Sequence, residues 1–338
     1  MTLEGRGDER PRRARGNVGR RRFSVLALSA LVAAGCGPER IPRPSTPAPT
    51  LFRPADALPA DLDVVLRIDF RRIRTALGAE ALSRLRRVAA RSDDEATDRL
   101  VADALERADT VWIGLRPASS LELSDAVLVL RGKFRGLEPR HYASEPKWQA
   151  PVDLGAAWRR YDRAAPKLRS SPARIYVQES ELMLFVSIAE LDSVERALEH
   201  GERDKRLDPK EKGLISLEAR VRRLVPVLEQ RSPNAARLLG SARRLRLNAE
   251  LDAAGLSGEL ELEFEEPEQA ERTANAASLL ARALASDTSL TGRVASALRI
   301  EAIERTLVVK AALSAEEFNA LVNCADGARA SCRDSVPP

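Results

Sequence analysis

Aromatic residues are scarce in this chain of 338 residues: phenylalanine, tryptophan and tyrosine together make up 4%. Stacking platforms for sugars or single-stranded nucleic acid need such rings, so that class of surface is excluded. Histidine occurs only at His141 and His200. Neither lies near a second histidine, a cysteine or a spaced carboxylate pattern of the kind that holds a metal. Gly-x-Ser-x-Gly, phosphate-binding loops, dinucleotide fingerprints and calcium loops are all missing. No cofactor is expected. A long apolar run is missing too: the most apolar stretch, Phe23–Ala34, has about a dozen residues where a bilayer span takes about 20.

An excess of one charge is only superficially present. Lys+Arg number 55 against Asp+Glu 50, a net +5 that suggests nucleic acid or anionic membrane. Eight of those basic residues and three of the acidic ones lie in residues 1–35, so the remainder carries 47 of each sign. The body of the protein is neutral, and nucleic acid is not an expected partner.

The basic residues of the N-terminus precede the apolar run, which ends in Leu31-Val32-Ala33-Ala34-Gly35-Cys36. A positive segment, a short apolar segment and small residues before a cut site define a secretory signal. The last six residues resemble a bacterial lipoprotein lipobox. The resemblance implies a diacylglyceryl group on the Cys36 thiol, removal of residues 1–35 and, with Gly37 next, sorting to the outer membrane of a Gram-negative cell. The alternative is an ordinary signal with a chance cysteine. Arg20-Arg21-Arg22-Phe23 also resembles part of a twin-arginine signal, but Ser24 breaks the expected apolar pair and favours general secretion. Prolines at 38, 42, 44, 47, 49, 54 and 59 then predict an extended tether over residues 36–60, reaching roughly 70 Å at about 3.1 Å per residue. Of the remaining cysteines, Cys324 and Cys332 form an even pair in what would be an oxidising compartment, which predicts a disulfide.

The rest reads as α+β. Val64, Leu66, Ile68 and Phe70 alternate with Val65, Arg67 and Asp69, predicting a strand with one buried face. Ile73, Leu77, Leu82, Leu85 and Val88 follow at helical spacing. Ser92-Asp93-Asp94-Glu95 has the form of a capping box opening a second helix. Strands are expected at Thr110–Arg116 and Asp125–Gly132, near Trp158–Tyr161, and in a hairpin of Arg174–Gln178 with Glu181–Ser187, followed by a helix to His200. The second half predicts a strand at Leu214–Ala219 with a helix after it, and a hairpin of Arg244–Leu251 with Leu256–Phe264. A helix from Pro267 to Ala285 follows, Pro267 suiting its first turn. Then come a hairpin of Arg299–Ile303 with Thr306–Ala312 and a helix over Ser314–Val322.

The halves align. Leu66–Ile73 matches Leu217–Leu224; Val111, Ile113 and Leu115 match Leu245, Leu247 and Ala249; Arg174, Ile175, Glu179 and Leu182 match Arg299, Ile300, Glu304 and Leu307. The expected fold is a duplicated strand-helix-hairpin-helix-hairpin-helix unit, with antiparallel sheets and helices on one face. Its divisions are a first half over 61–205, a second over 206–323 and a tail over 324–338. Chance similarity between α+β patterns is the alternative.

Candidate chemistry is thin. Ser144-Glu145-Pro146-Lys147 has the Ser-x-x-Lys form of penicillin-recognising enzymes, but the companion motifs are missing and Pro146 breaks the helix that would pair the two. Asp93, Asp94 and Glu95 suit a helix start rather than a cation. Glu261, Glu263 and Glu265 are expected on one strand face, solvated opposite Arg244 and Arg246. The sequence therefore points to a non-enzymatic envelope lipoprotein, attached to the membrane through its anchor and binding a protein or wall component. The alternatives are a periplasmic carrier of an apolar ligand and, third, a hydrolase with scattered site residues.

Overall fold

The β-branched residues Val64, Val65 and Ile68 favour strand β1 (Val64–Asp69), which lies in the middle of the sheet. The computed structural model describes residues 53–76, 94–118, 124–144, 146–155, 157–164, 166, 168–200, 206–286 and 290–317. Cys36, Cys324 and Cys332 lie outside these residues, as do Leu77, Leu82, Leu85, Val88 and Ser92. On one side β1 pairs with β2 (Ala108–Arg116), which continues to β3 (Asp125–Gly132), β7 (Leu182–Ser187), β6 (Pro172–Gln178), β5 (Trp158–Asp162) and β4 (Val152–Gly155). On the other it pairs with β8 (Ile215–Arg220), then β9 (Ala242–Asp252), β10 (Gly255–Phe264), β12 (Thr306–Ser314) and β11 (Arg299–Ile303). The result is one continuous antiparallel sheet of 12 strands rather than separate sheets. Read outward, β1-β2-β3-β7-β6 and β8-β9-β10-β12-β11 place their strands in corresponding order, with β5 and β4 extending the first arm.

The expectation that helices cover one face is corrected in the first arm, where both faces are covered. Helix α1 (Glu95–Arg107) lays Leu100, Val101, Ala104 and Leu105 on Ile68, Val111, Leu130, Ile175 and Phe185. On the other face Ala55, Ala57, Leu58 and Leu62 join Val194 and Leu198 of α2 (Leu191–His200) over Val65, Trp112, Val129, Trp158, Leu184 and Val186. This is why β1 is buried on both sides, Val65, Arg67 and Asp69 included, against the single buried face its alternation suggested. In the second arm, α3 (Val221–Arg231) and α5 (Pro267–Ala285) pack Val221, Ala270 and Ala274 on Leu262, Phe264 and Leu307, with α4 (Pro233–Leu239) and α6 (Leu290–Ser296) beside them.

The expected tether also ends earlier than residue 60. Pro54–Ala57 form a 3-10 turn whose Ala55, Asp56 and Ala57 are buried. Four apolar side chains within nine residues gain more by covering the sheet than the prolines gain by staying extended. Asp56 and Arg206, each nearly inaccessible, pair at 2.8 Å. Arg206 also donates to the Ala55 carbonyl at 3.2 Å, and the Arg53 N–H donates to Asp56 at 2.9 Å. Burial opposes the charged form of Asp56, but the hydrogen bonds from Arg206 and Arg53 outweigh it and hold the carboxyl below its ordinary range. A depressed carboxylate pKa gives stability that is present above the unfolded-state value and lost as pH falls through the folded one. Asp56→Asn is therefore expected to be destabilising at pH 7, with the gap from wild type narrowing in acid below the ordinary carboxylate range. Urea titrations at pH 7 and in acid check this.

Local signals acted as expected at several ends. Ser314 and Glu317 form the reciprocal capping box, at 2.8 and 3.2 Å. At α1 the cap is instead Asp94, whose side chain accepts from the Ala96 and Thr97 N–H groups at 3.0 and 2.9 Å. In the β9–β10 turn, Gly255 has φ +137°, and a Cβ there would sit 2.0 Å from the Leu313 carbonyl oxygen of β12. Only glycine permits that approach.

Candidate binding face

Alternation along the strands of the second arm puts leucine and valine under the helices, and arginine, lysine and glutamate on the other face. Cross-strand register arranges these charges in rows. One row runs Glu218, Arg246, Glu261, Val308 and Glu301 across β8, β9, β10, β12 and β11. The next runs Ser216, Asn248, Glu259, Lys310 and Arg299. Among the described residues no helix packs on this face.

Glu218 organises it. The side chain is nearly inaccessible, yet it pairs with Arg244 at 2.6 Å and accepts from Arg246 Nε at 2.9 Å and the Asp208 N–H at 2.6 Å. A carboxylate can be buried only when so compensated. Its hydrogen bond is the first reason that Arg246 is held above the usual arginine value. Glu261 takes the other side of Arg246 at 3.5 Å and meets Lys210 at 3.9 Å, while Lys310 lies 3.6 Å from Glu259. The segment Asp208–Lys210 leaves a cleft of about 310 Å³ above the sheet, lined by Glu218, Arg246, Asn248, Glu259 and Glu261. The surface offers alternating donors and acceptors on a sheet, with no nucleophile beside a base among the described residues. It suits a partner that brings both charges.

The sequence placed Glu261 and Glu263 opposite Arg246 and Arg244, and the register agrees. Glu265 leaves the group: a bulge after Glu263 ends the regular pairing, and Glu265 binds Arg222 and Arg243 instead. His200 ends α2 exposed, and His141 is exposed 3.8 Å from Glu138. Ser144 is buried and donates to the Pro146 carbonyl at 3.2 Å, not to Lys147. Among the described residues there is no metal-holding group of three or more His, Cys, Asp or Glu, and no helix long and apolar enough to cross a membrane. Glu218, Asp208 and Arg206 were missed by sequence reasoning. The one available signal was Ser216 and Glu218 alternating with Ile215, Leu217 and Ala219.

No protein-family model matches the chain, and no curated protein matches it. Solved structures of similar outline are crystal forms I, III and IV of TP0453, at 11%, 12% and 11% identity. They cover 80–81% of this chain and 97% of that one, with TM-scores of 0.45, 0.47 and 0.43. At that distance the likeness assigns neither family nor activity.

Proposed function

We propose that this chain is a lipid-anchored protein of the bacterial cell envelope whose body is a non-enzymatic binding scaffold. Its working surface is the charged face of the second arm, which docks a protein segment carrying both charges. The observation that carries the reading is that face itself: rows of paired, ordered charges around Glu218, with no helix packed on them among the described residues. Glu218, Glu261 and Glu259 are each already paired with a cation.

In this reading residues 1–35 are the export signal and residues 36–52 the tether. The arms descend from a duplicated unit, divided near residue 205. The equivalence is supported by the β1–β8 join, whose ladder brings Leu66 opposite Leu217, the pair that the sequence alignment matches. The matched Glu179 and Glu304 both have positive φ, at 46° and 51°. Cys324 and Cys332 pin the tail.

A photo-crosslinking residue at Val308, installed in whole cells, tests the docking surface. A discrete adduct that disappears when Arg246→Glu and Glu261→Arg are introduced singly supports the proposal. No adduct, or one indifferent to both reversals, overturns it. The carrier reading has one observation in its favour, a half-buried row on the helix face formed by Leu128, Ile113, Leu66, Leu217, Leu247 and Leu260. Saturable uptake of a fluorescent fatty acid, lost in Leu217→Asp, would favour it.

A further inference from the structure

The sheet ends in two unlike edges. At β4 the strand is short, preceded by Pro151, irregular between Asp153 and Gly155, and closed by a bond from the Gly155 N–H to Asp153 at 2.8 Å. Those are the devices that stop an edge from pairing with another chain. The other edge, β11, is also short but lacks the proline and the irregularity. Its register with β12 is unbroken from Arg299 to Ile303, and it contains neither proline nor glycine.

The two-residue turn at Glu304-Arg305 fixes which backbone groups are free. In such a hairpin the flanking pair, here Ile303 and Thr306, exchanges both hydrogen bonds. Arg299, Glu301 and Ile303 therefore bond to β12, while Ile300 and Ala302 turn their N–H and C=O groups to the open side. Arg299 and Glu301 are exposed and, among the described residues, have no ion pair within the chain. Close by, α5 packs along β11 and exposes Leu279, Leu280 and Leu284 at 66%, 50% and 41%, and Ile303 is 55% exposed. Ile303 shares the face of Arg299 and Glu301, opposite α5, so exposed apolar side chains occur on both faces of the sheet beside this edge strand.

We propose that β11 pairs with β11 of a second copy of this chain, continuing the sheet across a two-fold axis at Ile300. An antiparallel strand pairing with itself is isologous, so charge pattern selects its register. Centred on Glu301, the strand would set two glutamates opposite each other. Centred on Ile300, it sets Arg299 opposite the partner's Glu301 and Glu301 opposite the partner's Arg299. These are non-hydrogen-bonded positions, where side chains lie closest. The same register joins Ile300 to its copy through two backbone hydrogen bonds and keeps Ile300 and Ala302 on the helix side of the sheet. The join repeats in trans what β1 and β8 do within the chain.

The test is sedimentation of the purified chain carrying Cys36→Ser, which removes any acyl group as a route to association. Wild-type sequence at the edge is expected to give a concentration-dependent species of twice the chain mass. Arg299→Glu and Glu301→Arg should each weaken association about tenfold, because each converts two attractive pairs into two repulsive ones. The double reversal should restore it. Both positions are exposed, so each variant is expected to keep wild-type circular dichroism. A monomer at all concentrations overturns the proposal. So does a dimer that ignores both single reversals, or one that the double reversal fails to recover. Binding of anionic or neutral lipid vesicles without self-association would assign the α5 leucines to a membrane and overturn it as well.

Discussion

Arg163→Ala is expected to cost about 3–5 kcal/mol of folding stability, the range for removing one partner of a buried ion pair. The Arg163 side chain is fully inaccessible and pairs with Asp94 at 2.6 Å. It donates to Thr97 Oγ1 at 2.8 Å and through Nε to the Pro172 carbonyl at 3.1 Å, and its guanidinium lies 5.1 Å from the centre of the Trp148 ring. One side chain thus ties the N-terminus of α1 to the strands of the first arm. Truncation leaves the cap residue Asp94 without this cation and opens a cavity against Trp148. Arg163→Lys keeps the charge but cannot reach three acceptors in a planar fork, so it should recover only part of the loss. Urea denaturation followed by far-UV circular dichroism measures both. A loss below about 1 kcal/mol for Arg163→Ala would show that the cluster is not structural, since changes of that size are ordinary for exposed pairs.

Nothing in the sequence singles out Arg163. It sits among Arg159, Arg160, Arg169 and Arg174, and residue type alone does not say which one is buried. The elements themselves were legible where local chemistry decides them. Asp125–Gly132 and Pro267–Ala285 were read with the bounds they have in the structure. The first is a short apolar run, Ala126–Leu130, bounded by Asp125 and Gly132, and the second starts at a proline whose missing N–H costs nothing there. What local chemistry cannot report is which face gets covered, and by what. Period-two alternation at Val64–Asp69 announces one buried face, yet residues 53–62 return to cover the second, so Val65 and Trp112 are enclosed as well. The same blindness made those residues read as tether, because proline content was visible and the sheet awaiting Leu58 and Leu62 was not.

The candidate face was half legible. Glutamates of β10 opposite arginines of β9 follow from alternation and hairpin register. Their convergence on Glu218 does not, because it requires β8 to lie beside β9, a pairing across the loop and helices of residues 221–241. The antiparallel pairing of strands within each arm was anticipated from alternation and hairpin spacing. The sharing of one sheet through β1 and β8 was not, since no sequence signal records which strand edge a unit leaves open.

Anchoring through Cys36 is the claim on which the proposed envelope role depends, and its loss is expected to be complete. One acyl chain holds a protein to a membrane only marginally, while the several chains of a processed lipoprotein hold it stably. The direct measurement is incorporation of radioactive fatty acid into the wild-type chain and Cys36→Ala, with each followed through membrane fractionation. A labelled wild-type protein is expected in the membrane fraction, beginning at Cys36, with an unlabelled variant released from it. Label retained by Cys36→Ala, or a wild-type chain that never takes up label, would contradict anchoring through Cys36.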